Sequence, residues 1–578
     1  MSYTIDFETN NHVDDCHIWV WGICHIETLK FYWGTTWNEL FEFWKEHGNQ
    51  TYYFHNLKFD GEFIISKCLT DGWEHTNDSQ LDKNQFTTLI SNKGVFYSIK
   101  LAIESKRKKL STINILDSLK LINSSVKKIA KDFKLPIKKG KIDYNKQRPI
   151  GYIPTREEIE YLQNDVEIMA RALKIFFKSS HDKMTIASNA LADYKSIIGN
   201  KAFNRLFPEL PYNIDKDIRQ AYKGGWTYLK QGYSHKIVGK GQVFDVNGLY
   251  YHVMHEYSFP VGEPKFFNGK YKYDPVFPLY VQMFTCQFEL KKDYLPTLQI
   301  KQNFNFIPTE YATTSNGEDV TLCLTNIDLE LFLEHYEVTN RVYHSGWCFR
   351  AKAGLFTEYV DKWVKVKVDS EKEGNGAERS VAKMYLTNLY GKFGKHPQVA
   401  SKIPYLKENG IVGYHPTDPE IKKGIYIPLA CFVTAYARRI TITSAQKNYD
   451  RFIYSDTDSI HLEGWEEPAD IKVDKYELGA WKMEGKFVKA KFLRAKSYME
   501  KILDDDGATH LKVTCAGMPK DALIIQEPDG TERGITEEDG IITFENFNFG
   551  MEVTGGLKAR RVKGGVVLMD SPFTIKSN

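Results

Sequence analysis

The chain has 578 residues, of which 42% are hydrophobic and 26% charged, and its formal charge is +3. This length is too great for one hydrophobic core, so several domains are expected. This near-neutral net charge does not by itself indicate a nucleic-acid-binding protein, because the placement of the charges decides such binding. The eight cysteines form no CxxC pair, which argues against a zinc ribbon or disulfide framework and is typical of a reducing compartment. With no signal pattern and no membrane-length apolar run, we expect a soluble cytoplasmic protein.

Three predicted elements near the N-terminus carry acidic residues. The first strand, YTIDFE, places Asp6 and Glu8 on one face, because side chains two apart on a strand point the same way. A strand-like YYF leads to Asp60, and a later helix carries Tyr161 and Asp165 four residues apart, on one helical face. These four acids on three segments predict a site for two metal ions, with Tyr161 placed to orient an attacking water.

A strongly basic run with nine cations lies between the second and third acidic segments, over residues 127–148. A solvated helix face is the usual explanation of such a run. Its position beside the predicted metal site makes contact with phosphate groups a fair competitor. Both interpretations stay open at this point.

The character of the sequence changes after about residue 185. The segment YKGG, from Tyr222 to Gly225, permits close backbone approach to another chain, although a glycine pair is more often an ordinary turn. An apolar strand then delivers Asp245 and runs into a predicted helix start. Residues 260–355 form a long mixed segment that we interpret as a docking or structural insertion.

A helix is predicted from Thr357 to about Val368, broken at residues 373–376 and resumed over residues 377–391. In the second arm, two cations, a threonine and an aromatic recur at spacings of four, four and three, so they share one face: Arg379, Lys383, Thr387 and Tyr390. Such a stripe suits an incoming triphosphate and its base pair. The alternative is a solvated helix with one packed tyrosine.

The later elements comprise a hairpin, a buried helix and an acidic turn. KIPYLKENGIVGY has strand character on both sides of Asn409-Gly410, a strong hairpin signal, and residues 426–446 predict an apolar helix. In RFIYSDTDSIHL, two short apolar runs are closed by a turn that holds Asp456 and Asp458. Side chains two apart on an extended segment point the same way, so these two carboxylates are expected to converge at one place. Close carboxylates repel each other unless a divalent cation lies among them. A surface turn would explain this segment equally well, but Asp245 as a partner favours a second two-metal site. The last fifty residues predict a small β-rich subdomain.

Together these motifs resemble the protein-primed family B DNA polymerases of the phi29-like phage group. The resemblance runs nearly end to end through DFET, FHNLKFDG, YxxxD, YxGG, DxxxLY, KxxxxNLYG, YxDTDS, KxY and GGVVL, of which FHNLKFDG and YxDTDS are the most specific. It implies an α/β multidomain fold: an N-terminal RNase H-like DEDD 3'→5' exonuclease domain and a right-hand polymerase with palm, fingers, thumb and two insertions.

The resemblance implies the following boundaries: exonuclease 1–185, palm 186–259 and 428–525, first terminal-protein insertion 260–355, fingers 356–396, second terminal-protein insertion 397–427 and thumb 526–578. Asp6, Glu8, Asp60 and Asp165 would hold the exonuclease metals, with Tyr161 and Lys139 assisting the chemistry. The single-stranded 3' end would be held by His55, Asn56, Phe59, Ser118 and Leu119.

In the polymerase half, Asp245 and Asp458 would bind the metals, with Asp456 as a supporting acid. Lys383 and Arg379 would meet the triphosphate, Tyr250 would bar a ribose 2'-hydroxyl, and Tyr390 would pack against the nascent base pair. Template and primer would be held by Tyr222, Gly224, Gly225, Lys496 and Tyr498.

The implied function is a DNA-directed DNA polymerase with a proofreading 3'→5' exonuclease, which replicates a linear viral genome from a protein primer by strand displacement. The implied cofactor is Mg²⁺, two ions per active site, with Mn²⁺ as a substitute. The implied partners are template and primer DNA, deoxynucleoside triphosphates, a terminal protein and a single-stranded DNA-binding protein. The protein would act as a monomer in the cytoplasm of an infected bacterium.

Several positions depart from the family pattern. Gly248 and Tyr251 stand where serine and proline are usual, Thr387 and Asn388 replace Asn-Ser, and the loop from Glu371 to Gly376 is lengthened. None removes an acid or Lys383, so activity is expected. Two alternatives remain: an exonuclease and DNA-binding assembly factor with an inactive polymerase half, or an ordinary DNA-primed polymerase.

Overall fold

The computed structural model describes residues 1–144, 146–299, 311–527 and 531–577. Apolar alternation in the first hundred or so residues forms an eight-stranded sheet, in which the first strand pairs antiparallel with the second and parallel with the fourth. The spatial order is Phe31–Gly34, Ile18–His25, Ser2–Thr9, Gln50–Phe54, Leu110–Asp117, Phe96–Glu104, Gln85–Ile90 and Glu74–His75.

Helices cover this sheet and complete the N-terminal module. The longest, Arg156–Phe177, begins with a capping box in which Thr155 and Glu158 satisfy each other's backbone amides. Its buried face packs on the first two strands, and the Thr4 hydroxyl donates to the Val166 carbonyl at 2.7 Å. The other elements are Trp37–His47, Leu57–Thr70, Val126–Asp132 and the 3₁₀ turn Ser118–Lys120.

A second eight-stranded sheet carries the acids of the polymerase half. It follows three short helices, Ile186–Ile198, Asn200–Leu206 and Tyr212–Arg219. Seven strands run in the order Thr509–Cys515, Ser497–Leu503, Trp481–Arg494, Gly241–Val246, Ser459–Glu463, Phe452–Asp456 and Thr227–Leu229, and Ile237–Val238 pairs with Trp481–Arg494. The strand with Asp245 therefore lies beside the strand that follows the Asp456–Asp458 turn.

The predicted first insertion has a sheet of its own. Four antiparallel strands lie in the order Phe259–Asn268, Tyr336–Lys352, Leu279–Leu290 and Val320–Thr325. Helix Asn326–His335 packs on this sheet around a separate apolar cluster that includes Phe284 and Phe332. Residues 300–310 of the predicted insertion lie outside the described residues.

The predicted helical arms are present, but the second ends earlier than expected. The arms are Thr357–Lys372 and Gly376–Asn388, joined face to face by a Trp363–Tyr385 ring stack at 4.1 Å. Tyr390 opens a separate short helix, Tyr390–Phe393. The predicted end of this arm at Gly391 is therefore three residues too late, although Leu389 between the two helices keeps right-handed helical angles, with φ -70° and ψ -53°.

The hairpin, two further helices and the C-terminal strands predicted from the sequence are all present. Lys402–Leu406 and Val412–Pro416 form the hairpin around Gly410, flanked by the paired strands Gln398–Val399 and Glu420–Ile421. Helix Leu249–Glu256 follows the strand that carries Asp245, and the apolar helix is Ile427–Lys447. The C-terminal strands are Ile524–Gln526, Glu532–Gly534, Glu552–Val553, Leu557–Val562, Gly565–Asp570 and Phe573–Thr574, and the 3₁₀ turns are Tyr449–Arg451, Lys520–Leu523 and Glu537–Asp539.

A buried carboxylate joins three of these modules. Glu62, on helix Leu57–Thr70, accepts hydrogen bonds from Arg561 at 2.7 Å and from the hydroxyl of Tyr414 at 2.8 Å. Tyr414 belongs to the hairpin and Arg561 to the C-terminal strand Leu557–Val562. The hairpin and the C-terminal subdomain are therefore anchored on the N-terminal module.

The predicted domain boundaries stay predictions. Within the described residues, no helix has the length and apolarity needed to span a membrane.

Candidate active sites

The first candidate site is built from neighbouring strands of the second sheet. Asp245 pairs in register with Ser459, and the Val246 amide donates to the Asp458 carbonyl at 2.8 Å. These backbone contacts set the Asp245 and Asp458 side chains next to each other. Burial, followed by the charge of Asp458, raises the pKa of Asp245 to about 7. The pKa of Asp458 is also raised, first by burial and also by Asp456.

Asp456 and Asp458 do not lie on one extended segment. Thr457 between them has φ +65°, so Asp456 ends one strand and Asp458 belongs to the turn before the next. The expectation that they point the same way along one strand is wrong, because the left-handed residue reverses the chain. Asp456 is held by Thr227 at 3.1 Å and Lys496 at 3.1 Å, which is the environment of a supporting acid.

A close contact within the chain explains why position 225 is glycine. A Cβ atom at this position would lie 2.6 Å from Thr457, whereas the space around Gly224 is open. The Thr457 amide also donates to the Trp226 carbonyl at 2.7 Å, and the Thr457 carbonyl accepts from Thr441 at 2.8 Å. The close approach predicted for this glycine pair therefore occurs within the chain at Gly225, where it supports the acidic turn.

The predicted nucleotide side chains surround the acids. The positive charge of Lys383 lowers the pKa of both Asp245 and Asp458 against the effect of burial. Arg379 is paired with Glu371 at 3.2 Å. Tyr250 stacks on Tyr390 with ring centroids 4.4 Å apart, so the structure brings together two aromatics from separate helices.

Two further cations near these acids were missed by sequence reasoning. Lys367 lies on helix Thr357–Lys372, where burial and the charges of Arg379 and Lys383 lower its pKa. Lys482 is the register partner of Asp245 on the neighbouring strand. No motif in the sequence around Lys367 marks it as a binding residue. Lys482 is placed by cross-strand register, which cannot be derived from local sequence, so neither cation could be identified beforehand.

The other predicted template and primer residues border this site. Tyr222 is half-buried, with its pKa raised to about 12 by burial and by Tyr390. The Lys496 ammonium reaches Asp456, and the Lys496 backbone amide donates a hydrogen bond to the Tyr454 hydroxyl oxygen at 2.9 Å. Tyr498 is 8% exposed and packs against Phe492 with centroids 5.4 Å apart. Most of its ring is thus part of the palm core.

The second candidate site is the acid cluster of the N-terminal module. Glu8, Asp60 and Asp165 are buried and Asp6 is half-buried. Burial and the charge of Asp165 raise the pKa of Asp6 to about 7, opposed by Lys139. The pKa values of Glu8 and Asp60 are also raised by burial and by the charge of Asp6. A small cleft of about 100 Å³ reaches Asp6, Asp165 and Lys139.

Lys139 and two tyrosines complete this cluster. The Lys139 ammonium forms an ion pair with Asp165 and lies 5.4 Å from the centre of the Tyr161 ring. The Tyr161 hydroxyl is 2.8 Å from the hydroxyl of Tyr144, a residue that the sequence did not single out because it lies in an irregular segment. Lys139 is therefore the member of the basic run that reaches the acids.

The rest of the basic run serves other contacts. Lys127 pairs with Glu532, and Arg148 is buried against Glu158 at 2.9 Å. A cavity of about 660 Å³ lies between the N-terminal module and helix Gly376–Asn388, where it reaches Arg379 and Lys383. Three more cations of the basic run line it: Lys128, Lys131 and Lys134. The run is therefore not one uniformly solvated face, and its contact with phosphate groups stays a prediction.

The predicted single-strand contacts divide into exposed and buried groups. Asn56 is exposed, with φ +79°, and Phe59 and Leu119 are half-buried. Ser118 is fully buried, and its hydroxyl donates to the Phe54 carbonyl at 2.9 Å and contacts His55 Nδ1 at 3.0 Å. Ser118 therefore orients His55 and does not itself present a surface, which corrects its predicted direct contact with DNA.

Both acid sites have the donor chemistry of a divalent-cation site. Asp60 Oδ1 and Asp165 Oδ1 are buried without a hydrogen-bond partner in the described part of the chain, and carboxylate oxygens are the donors that Mg²⁺ and Mn²⁺ prefer. In the present side-chain positions no three metal-ligating side chains among the described residues converge on one point. The acids fit a divalent cation by chemistry and placement.

The departures from the family pattern leave the site intact. The Thr387 hydroxyl donates to the Lys383 carbonyl at 2.9 Å, and the Asn388 amide donates to the Met384 carbonyl at 2.8 Å. Both side chains thus satisfy their own helix. The lengthened loop brings Gly376 so close to Asp132 that a Cβ atom would lie 2.2 Å from its carbonyl oxygen.

Comparison with known proteins places the chain among polymerases. A family model described as "DNA polymerase type B, organellar and viral" matches residues 45–154 and 143–476. The chain is similar to the DNA polymerases of Bacillus phage B103 (45% identity) and Bacillus phage phi29 (44%), with 99% of both chains covered in each case. It is 33% identical to that of Streptococcus phage Cp-1, covering 99% of this chain and 98% of that one.

Solved structures of phi29 DNA polymerase match the whole chain with a TM-score of 0.90 at 42% identity, covering 100% of both chains. They include a complex with single-stranded DNA and one with primer-template DNA and incoming nucleotide substrates. This similarity confirms the predicted α/β multidomain fold with exonuclease and polymerase domains.

The raised pKa of Asp245 predicts a pH-dependent cost to stability. A carboxyl group has an ordinary pKa of 3.8 and reaches about 7 in the fold, so its stabilising contribution is complete below about pH 4 and is lost as the pH rises through 7. We expect the melting temperature of metal-free Asp245→Asn, relative to the parent, to rise between pH 5 and pH 8. Thermal unfolding with a chelator measures this difference.

Asp450→Asn is the matched control, because Asp450 is an exposed acid on the turn Tyr449–Arg451. Its melting temperature relative to the parent should stay constant over the same range. An equally constant difference for Asp245→Asn would contradict the electrostatic description of the site.

Proposed function

The chain belongs to the type B DNA polymerases of viruses and organelles, and we propose that it combines template-directed synthesis with a separate 3'→5' proofreading exonuclease. The observation that carries this proposal is the presence of two acid clusters on two different sheets of one chain. Each cluster has its own cation and aromatic neighbours. Mismatched primer ends, whose strands separate more easily, would be transferred from the first cluster to the second.

In the polymerase site, Asp245 and Asp458 would hold the metals, and Asp456 would keep Lys496 in place. DNA polymerases of this family use divalent metal ions, and we propose Mg²⁺, two per site, with Mn²⁺ able to replace it. The metals would lower the pKa of the attacking 3'-hydroxyl and neutralise the leaving pyrophosphate. The residues of the chain bind and orient the substrates around that centre.

The nucleotide would lie between the acids and helix Gly376–Asn388. Lys383 and Arg379, joined by Lys367, would bind the triphosphate oxygens through charge-assisted hydrogen bonds. The stacked rings of Tyr250 and Tyr390 would face the sugar and the base pair, so that a ribose 2'-hydroxyl meets the Tyr250 ring. Tyr222, Gly224, Lys496 and Tyr498 border the space proposed for template and primer.

In the exonuclease site, Asp6, Glu8, Asp60 and Asp165 would hold two metals. Tyr161 would orient the attacking water, and Lys139 would offset the negative charge that builds up at the scissile phosphate. Asn56, Phe59 and Leu119 would contact the single-stranded end, with His55 oriented by Ser118. The complex of phi29 polymerase with single-stranded DNA is consistent with such a mode.

We also propose initiation from a protein primer. The four-stranded insertion at residues 260–355 and the hairpin at residues 397–427 would engage a terminal protein and support strand displacement on a linear viral genome. Since the similar proteins come from phages, the protein would act as a monomer in the host cytoplasm, with a single-stranded DNA-binding protein as a further partner.

Separating the two sites by mutation tests the central proposal. Asp458→Asn should reduce nucleotide incorporation by about three orders of magnitude or more, because a metal ligand of the polymerase site is lost, while 3' shortening of single-stranded DNA continues. Asp6→Ala should do the reverse. Denaturing gels with labelled primer measure both activities, and Asp450→Asn should retain both. A folded Asp458→Asn or Asp6→Ala protein without either activity would contradict the two-site proposal.

Protein priming has its own test. Incubation with the terminal protein of its own phage, labelled nucleotide, Mg²⁺ and an origin fragment should transfer one nucleotide onto that protein, visible as a labelled band on a denaturing protein gel. Deleting the strands Leu279–Leu290 and Val320–Thr325 would perturb the fold, so exposed insertion residues should be changed instead. Arg341→Glu should weaken the labelled band while DNA-primed extension persists. Extension of DNA primers with no transfer to protein would favour an ordinary DNA-primed polymerase.

A further inference from the structure

Two departures from the family pattern, Gly248 and Tyr251, form one structural unit. Gly248 precedes helix Leu249–Glu256 in a left-handed conformation, with φ +69°. A Cβ atom at Gly248 would lie 1.9 Å from Cζ of Tyr251, far inside any possible contact distance. The Tyr251 ring therefore lies directly over the Gly248 backbone, and any side chain at position 248 would displace it.

The hydroxyl of Tyr251 faces the fingers helices. It accepts a hydrogen bond from Lys367 Nζ at 3.5 Å, and the same ammonium lies 6.0 Å from the centre of the Tyr251 ring. Lys367 comes from the facing helix Thr357–Lys372 and is half-buried. A half-buried ammonium near two other cations needs an acceptor to remain in place. Proline, the residue usual at position 251, has no hydroxyl to supply one.

Lys367 lies near the other cations of the nucleotide site. Burial lowers its pKa most, followed by the charges of Arg379 and Lys383, and Glu371 opposes these effects. Lys482, on the strand that pairs with Asp245, also acts on it. Lys367 thus shares a region with the cations assigned above to the triphosphate.

We infer that Tyr251 is a positioning residue of the nucleotide site, whose hydroxyl holds the Lys367 ammonium for the triphosphate while Gly248 makes room for its ring. The inference rests on the proposed triphosphate site. A lysine side chain loses considerable rotational freedom when it binds a phosphate. Holding it beforehand reduces that cost, so the effect belongs to nucleotide affinity and not to the chemical step.

Tyr251→Phe tests this directly, because the ring over Gly248 is kept and only the hydroxyl is lost. We expect the KM for dGTP opposite a template cytosine to rise about fivefold, the effect of one hydrogen bond, with kcat nearly unchanged. Tyr257→Phe is the matched control: Tyr257 follows the same helix and stacks on Tyr436. Its KM should equal that of the unaltered protein.

A double-mutant cycle with Lys367→Gln separates positioning from general packing. If Tyr251 acts through Lys367, then Tyr251→Phe should have no further effect on KM in the Lys367→Gln background. Additive effects of the two changes would overturn the inference. So would an unchanged KM in Lys367→Gln beside a raised KM in Lys383→Gln, a result that leaves the proposed function standing. Absence of any incorporation by the unaltered protein would overturn both.

The pairing of Gly248 with Tyr251 is tested by thermal unfolding. Gly248→Ala should lower the melting temperature by several degrees, because the added methyl overlaps the ring and the left-handed backbone is strained. In a Tyr251→Ala background, the overlap is removed and the loss should be smaller. An equal loss in both backgrounds would show that the two positions are independent and would overturn this part of the inference.

Discussion

The mutual repulsion of closely placed carboxylates is the constraint on which this structure depends. Asp245 and Asp458 are brought together by the backbone bonds of neighbouring strands, and the four acids of the N-terminal module by a sheet and two helices. Such clusters cost free energy unless cations offset them. The chain supplies part of the compensation itself, through Lys139 at Asp165 and Lys496 at Asp456. The remaining negative charge is of the kind that attracts divalent cations, and it requires rigid surroundings that hold the acids against their repulsion.

Those surroundings are built from internal contacts of small and polar residues. Gly225 allows Thr457 to approach, and Thr441 of the palm helix fixes the turn from the other side. At larger scale, Glu62 anchors the hairpin and the C-terminal strands to the exonuclease module through Tyr414 and Arg561. The two acid clusters therefore lie on separate sheets, and these internal contacts join the modules that carry them.

Local sequence predicted the acids, because each follows a strand or lies on a helix whose apolar pattern is clear. Asp6 and Asp245 lie on the strands, and Asp165 on the helix, that were expected for them, whereas Asp60 lies on helix Leu57–Thr70, which was not predicted. The errors concern features that depend on distant contacts or on one backbone angle. The left-handed conformation of Thr457 separates Asp456 from Asp458, and the second arm ends at Asn388, so that Tyr390 belongs to a separate short helix. Lys367 and Lys482 escaped detection because cross-strand register and helix packing place them, and neither is encoded in a short motif.

The most direct measurement of the two-site account uses the unaltered protein, a 5'-labelled primer on a longer template, and Mg²⁺, with either all four deoxynucleotides or none. The account predicts extension of the primer when nucleotides are present and shortening from its 3' end when they are absent. Shortening in both reactions, at every nucleotide concentration, would contradict it and would mean that the second sheet no longer supports synthesis.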